Sequence, residues 1–508
     1  MSDYSDKILY GKSQLQRLVS LEPKDDLCEL FIQNDDGSVR SEFVKNRYWI
    51  LSNVQISEKF ARLDGNLHYK WGTQFSNKRD FIEAQKNWRL NHDIYCVYND
   101  KEALMILDGY TLYKGLKPKE VSILSFDIET TGLFHNKDSK VLLISNTFRN
   151  NDKIIKKLFS YDDYTNEGEM IEDWCNWIRE MNPSILLGYN ILAYDLPYLN
   201  YIANKYNVSL DLGRDDSPLK FGFKESNFRL DGTRELKYKK VQCYGREIID
   251  LYMVTYKYDV NRKLTSYGLK TVIKELGLEK TNRSFYDASQ IRFKYKDPVE
   301  FQKIKNYAID DSDDSLNLYD TIIDSTFYST QNIPKPISDI VTGSQGSQIN
   351  SILCRAYLQD SHSIPKKTEN SLYVEGGISI GIPKVYKNVI RWDLKSAYPS
   401  QILRFQLHDK EKDPKKYFYY IVKKFTEERF EMKRLSKTDD TGYYSGRDAA
   451  SKIFINSSYG LLNAQGLNFN SPVLAAKITK ETRNVIEQVV QWATGKDLEY
   501  WRNQCPKD

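Results

Sequence analysis

The stretch Val121-Ser122-Ile123-Leu124-Ser125-Phe126-Asp127-Ile128-Glu129-Thr130-Thr131-Gly132 decides how this chain is read. Val121 to Phe126 is a mostly apolar run and reads as a buried strand, entered from the linker Gly115-Leu116-Lys117-Pro118-Lys119. Asp127 and Glu129 follow at once, and residues two apart on a strand point to the same face. Adjacent carboxylates repel each other, and a hard divalent cation relieves that repulsion. A solvated strand end would also carry two acids, but this pair sits where a core strand emerges.

Two later segments carry matching chemistry. An apolar strand, Ile185-Leu186-Leu187-Gly188, runs into Tyr189-Asn190 and then Asp195-Leu196-Pro197 at a predicted helix start. Alone, Asp195 reads most simply as a helix N-cap. The third segment is Tyr307-Ala308-Ile309-Asp310-Asp311. Tyr307 and Asp311 are four apart and share one helical face, where a tyrosine hydroxyl beside a metal-bound carboxylate can orient an attacking water. Asp310, Asp313 and Asp314 fit a solvated acidic helix.

Further along, the predicted strand Val389-Ile390-Arg391-Trp392 ends in Asp393-Leu394-Lys395-Ser396-Ala397-Tyr398-Pro399-Ser400. A carboxylate there, followed by a turn with free backbone N–H groups, suits a metal–triphosphate complex, although an Asp cap is the plainer alternative. Lys452, Asn456 and Tyr459 recur on one face of a predicted helix over Ala449–Tyr459. Arg429 and Lys433, four apart in a basic helical stretch, can bind phosphate oxygens or simply face solvent. Another helical pattern runs from Val473 to Trp492.

In their order, the first three segments resemble the exonuclease motifs of the DEDD nucleases, in the tyrosine-containing subclass. The resemblance implies that Asp127, Glu129, Asp195 and Asp311 hold two Mg²⁺ ions, which in such sites lie roughly 3.5–4 Å apart. It also implies that Asn190 and Tyr307 position a DNA strand and the water, on a ribonuclease H-like mixed sheet flanked by helices. The later segments resemble motifs A and B of family B DNA polymerases, with Ala397 in place of the usual Leu. Tyr373-Val374-Glu375-Gly376-Gly377 resembles the DNA-contacting Y-x-G-G element of that family. By this likeness Asp393 is a catalytic metal ligand and Tyr398 packs under the incoming sugar. Ser396, Arg429, Lys433, Lys452, Asn456 and Tyr459 would bind the deoxynucleoside triphosphate, and Tyr373, Gly376 and Gly377 would contact DNA.

The fold class expected is therefore α/β multidomain: a ribonuclease H-like exonuclease domain plus partial family B palm and fingers. The expected divisions are 1–115 (amino-terminal domain), 116–325 (exonuclease), 326–372 (connector), 373–410 (palm with motif A), 411–465 (fingers with motif B) and 466–508 (second part of the palm). The family's second carboxylate hairpin, Y-G-D-T-D-S, is not found in the 508 residues, and neither is a thumb. The expectation is the amino-terminal portion of a split or truncated polymerase of the T-even-like bacteriophage branch. A second polypeptide would supply the hairpin and thumb and complete a site for two further Mg²⁺ ions. DNA primer–template, single-stranded 3′ ends and a sliding clamp are the other expected partners. A stand-alone exonuclease with a vestigial polymerase region is the alternative, and a non-catalytic DNA-binding scaffold is a third reading.

Composition agrees with a globular chain: hydrophobic residues are 40% and charged residues 28%. The net charge of +5 is too small to establish a nucleic-acid partner. The six cysteines are scattered without metal-ligand spacing, which suits reduced thiols and a cytoplasmic setting, the host cell's if viral. No apolar stretch is long enough to span a bilayer, so no membrane role is expected.

Overall fold

The computed structural model describes residues 8–134, 136–230, 233–368, 376–439 and 442–505. Seven short strands form two antiparallel sheets in the amino-terminal region. One has the order β1-β2-β3, from Leu18–Lys24, Leu27–Gln33 and Val39–Lys45. The other has the order β5-β6-β4-β7, from β4 (Tyr48–Ser52), β5 (Ala61–Arg62), β6 (Trp71–Phe75) and β7 (Ile94–Tyr95). The turn between β2 and β3 is Asp35-Asp36-Gly37, where Asp36 accepts a hydrogen bond from the Ser38 N–H at 2.9 Å and Gly37 takes φ 84°. A Cβ on Gly37 would meet the Asn150 side chain at 2.0 Å, so this turn needs glycine for space as well as for its backbone.

The next sheet positions the site. It has five strands in the order β10-β9-β8-β11-β14: β8 (Ile123–Thr130), β9 (Val141–Asn150), β10 (Lys153–Ser160), β11 (Ile185–Gly188) and β14 (Glu247–Asp250). β9 runs antiparallel to both neighbours, whereas β8, β11 and β14 are parallel. Strands covered on both faces read as near-continuous apolar runs, and Ile123 to Phe126 is buried at every position. The hairpin β12 (Lys220–Arg229) and β13 (Glu235–Gln242) stands apart from the sheet.

Helices cover both faces. Phe126 meets Trp174 of the Glu167–Met181 helix edge-on, with centroids 5.4 Å apart, and the Trp174 indole donates to Asn146 Oδ1 at 2.9 Å. Alternation then turns Asp127 to the opposite face. That face is covered by the Pro298–Ile322 helix, which Arg149 of β9 ties down through both carboxylate oxygens of Asp320 at 2.6 Å.

A second core is helical. It joins the Gln345–Gln359, Ala397–Arg404, Tyr417–Leu435, Tyr443–Asn463 and Pro472–Thr494 helices to Trp49 and Leu51 of β4. Phe425 stacks on Phe454 at 4.0 Å within it. The two helical patterns read around 449–459 and 473–492 fall inside the last two of these helices.

One expectation fails here. Val389–Trp392 forms no strand; Val389, Ile390 and Trp392 are 74%, 76% and 58% exposed. A strand needs a neighbour for its backbone N–H and C=O groups, and among the described residues nothing pairs with this segment. Among the described residues no helix is long and apolar enough to cross a membrane.

Trp174 is fully buried and makes both an aromatic contact and an indole hydrogen bond. Trp174→Ala is expected to cost about 3–5 kcal/mol of stability, read as a shift in the denaturant midpoint.

Candidate active site

The fold carries Asp127 and Glu129 out of β8 onto the face where the Pro298–Ile322 helix presents Tyr307 and Asp311. Carboxylate oxygens of Asp127, Glu129 and Asp311 lie within 4.8 Å of one another. Asp195 adjoins them as the first residue of the Asp195–Lys205 helix. The N-cap position belongs to Tyr194, whose side chain caps nothing, so Asp195 does not serve as the cap. Instead its Oδ1 accepts the backbone N–H of Ile128, between the two β8 acids, at 3.3 Å.

These groups crowd one another electrostatically. Burial, then the charges of Asp195, Asp311 and Glu129, hold the Asp127 carboxyl well above the usual carboxylate range. Burial and the Asp311 charge push Glu129 up to about 8. Burial, with Asp250 adding to it, pushes Asp195 up to about 8. Asp311 is also raised by burial, and the Tyr307 hydroxyl, Arg283 and Lys270 oppose that rise. An all-oxygen cluster that is too acidic for its own surroundings fits a hard divalent cation.

Several surrounding residues hold the cluster in place. Tyr307 is 4% exposed, lies beside Asp311 one turn on, and has the Lys270 ammonium 4.3 Å from its ring centroid. Arg283 is buried between Asp311 and Asp314, with its Nε 2.6 Å from Asp314 Oδ2. Asp310 instead accepts the Ser284 N–H at 2.8 Å, which leaves Asp311 as the acid facing the cluster. Asp313 and Asp314 depart from the solvated reading: they are 7% and 0% exposed. Lys156 and Lys280 pair with Asp313, and Arg283 with Asp314.

Asn190 takes the left-handed conformation at φ 67°. Asp250, at the end of β14, fixes that turn by accepting the N–H groups of Asn190 at 2.9 Å and Leu192 at 3.0 Å. Asp250, Lys270 and Arg283 were not singled out from the sequence. Asp250 had a readable signal: it ends the apolar pair Ile248-Ile249 as Asp127 ends its own run, two parallel strands along the sheet.

On the helical side, Arg429 Nη1 donates to Ser396 Oγ at 3.1 Å, and its Nε lies 3.3 Å from Asp448. Tyr398 packs against Tyr459 with centroids 4.6 Å apart. Lys452, Asn456 and Tyr459 line a cavity of about 960 Å³, which Tyr258 and Asn261 close from the sheet domain. Asp393 and Lys433 stay exposed and are not drawn into this group. Gly376 O accepts from Arg483 at 2.9 Å and Gly377 is exposed, while Tyr373 lies outside the described residues.

The fold, a mixed sheet beside a largely helical core, has a counterpart among solved structures. The chain matches the structure of the family B DNA polymerase from the hyperthermophilic archaeon Pyrobaculum calidifontis with a TM-score of 0.74. The match covers 94% of this chain and 71% of that one at 16% identity. Residues 111–272 match the family model for the exonuclease domain of family B DNA polymerases, a match that ends before Tyr307 and Asp311. Curated relatives include the DNA polymerase of Archaeoglobus fulgidus, 25% identical over 68% of this chain and 44% of that protein. The DNA polymerase of Thermococcus sp. (strain 9oN-7) is 23% identical over 90% of this chain and 62% of that protein. The chain spans about half the length of the curated relatives it matches. Residues 111–272 are thus similar to the exonuclease domain of family B DNA polymerases, and the chain shares the fold of a family B DNA polymerase structure.

Removing one charge from a repelling cluster should stabilise the metal-free fold. Asp127→Asn is expected to raise stability by roughly 1–2 kcal/mol in chelator, seen as a higher Tm, with the gain lost when a divalent cation is added.

Proposed function

We propose that residues 116–325 form a Mg²⁺-dependent 3′→5′ exodeoxyribonuclease that proofreads for the polymerase region following it, within the divisions set out from the sequence. The convergence of Asp127, Glu129 and Asp311 within 4.8 Å, with Asp195 beside them, carries this reading.

Asp127, Glu129, Asp195 and Asp311 would hold the cations. When bound, those ions supply charge stabilisation for a phosphodiester under attack and lower the pKa of water. The protein's own residues do the rest. Ile128 N–H fixes the Asp195 carboxylate. Arg283, braced by Asp314, fixes Asp311 from behind. The Tyr307 hydroxyl, beside Asp311, orients the attacking water. Asn190, in its strained turn, offers a side chain to the 3′-terminal strand. Water adds to phosphorus, the P–O3′ bond breaks, and a nucleoside 5′-monophosphate leaves a shortened strand with a free 3′ hydroxyl.

The polymerase region is proposed to bind deoxynucleoside triphosphate and primer–template through Ser396, Tyr398, Arg429, Lys452, Asn456 and Tyr459, with Asp393 as a metal ligand and Lys433 closing in on nucleotide. Templated synthesis then needs the second carboxylate hairpin and the thumb, supplied by further polypeptide. Among the described residues Val389–Trp392 has no strand partner, and added strands would give its backbone a ladder, which favours that reading. The relatives named above are archaeal, and the bacteriophage-like branch is proposed on the split state and the composition.

The chain is expected to release mononucleotides from a 3′-labelled single strand with Mg²⁺. Asp127→Ala combined with Asp195→Ala should slow release by about a thousandfold or more. Unchanged kinetics in the double variant would remove the nuclease assignment. Primer extension is expected only after the hairpin and thumb are supplied.

A further inference from the structure

The opposite edge of the five-stranded sheet holds a second charged site of the other sign. Asp127, Gly188 and Asp250 lie towards the carboxyl ends of the three parallel strands. At their amino ends, a cavity of about 270 Å³ opens between β2–β3 and the segments around Asn182, Gly213 and Arg246. Three arginines line it: Arg179, Arg214 and Arg246.

Arg214 and Arg246 are both turned inward and share one acceptor. Their Nη1 atoms donate to the same Asn182 Oδ1, at 2.7 and 2.8 Å. Every other acceptor they use is neutral. Arg214 donates to Gly245 O at 2.8 Å, Ser184 Oγ at 3.1 Å and Pro183 O at 3.3 Å. Arg246, 2% exposed, donates to Leu212 O at 2.8 Å and to Pro183 O. Its Nη2 makes no hydrogen bond among the described residues. Neither guanidinium has a carboxylate within ion-pair distance among the described residues. The two acids of the lining have nearer partners, Asp216 with Arg179 at 3.3 Å and Glu29 with the Tyr244 hydroxyl at 2.8 Å, and reach Arg246 and Arg214 only at longer range. Burial, then the Arg246 charge, brings Arg214 down to about 9, and burial brings Arg246 down to about 10.

A buried guanidinium beside a half-buried one, with the carboxylates of Glu29 and Asp216 acting on them only from beyond ion-pair distance, is costly. Forked guanidinium donors match the oxygens of a phosphate group. The Phe31 ring, 5.5 Å from the Arg214 guanidinium carbon, forms an apolar wall. We propose that this cavity binds a phosphate group, carried either by a free phosphate or mononucleotide or by the backbone of a DNA strand. The site is separate from the carboxylate cluster, and its existence does not depend on the nuclease reading.

The test uses the full chain in chelator. Inorganic phosphate, a deoxynucleoside monophosphate and a single-stranded oligodeoxynucleotide are titrated calorimetrically. Ser41 sits opposite Phe31 in the β2–β3 register, so its side chain points to the same side, where it lines the cavity. Ser41→Glu therefore adds a negative charge without removing any guanidinium hydrogen bond. Phosphate is expected to bind the wild type and to bind Ser41→Glu about tenfold or more weakly, with Tm unchanged and, in a separate assay with Mg²⁺, the nuclease rate unchanged. Arg246→Gln should lose phosphate binding as well. Displacement of phosphate by the oligonucleotide identifies a strand as the source, and failure to displace it identifies the free anion. Absence of phosphate binding at millimolar concentration, or equal binding by wild type and Ser41→Glu, overturns the proposal.

Discussion

Repulsion among Asp127, Glu129 and Asp311 is the constraint around which this part of the chain is built. Three carboxylates within 4.8 Å, two of them buried and Asp127 half-buried, would spread apart if their supports were soft. The supports are rigid. Two of the acids are fixed by the alternation of a strand buried in the middle of a sheet, and the third by a 25-residue helix pinned to that sheet through Arg149 and Asp320. Buried Arg283 and the Tyr307 hydroxyl restrain Asp311, and Asp250 restrains the turn that leads to Asp195. The fold thus bears a local electrostatic penalty that a bound cation would remove.

The parts of this arrangement that depend on local geometry were legible. Asp127 and Glu129 could be read because side chains on a strand repeat every two residues. Tyr307 and Asp311 could be read because four residues make a helical turn. Parts that depend on distant partners were not. Asp313 and Asp314 looked like solvent-facing acids because Lys156, Lys280 and Arg283, which bury and neutralise them, come from other segments. Val389–Trp392 has the composition of a strand, but a strand exists only with a neighbour, and local composition carries no information about that neighbour. Arg214 and Arg246 looked like any other arginines until the loops at the strand starts brought them to one asparagine.

The sheet also separates charge. Acids collect where its parallel strands end, and guanidinium groups collect where they begin, so the two edges favour opposite ions. The amino-terminal strands help to line the arginine side, through Phe31 and Ser41. The helical core lies beyond, and the cavity lined by Lys452, Asn456 and Tyr459 meets the sheet domain at Tyr258 and Asn261. A nucleotide or strand in that cavity would touch both parts of the molecule at once.

The most direct test is the position of bound metal. Crystals of the chain soaked in Mn²⁺ and measured at the manganese absorption edge should show anomalous density among Asp127, Glu129 and Asp311, with Asp195 at its border. Mn²⁺ bound elsewhere while this cluster stays empty would contradict the account.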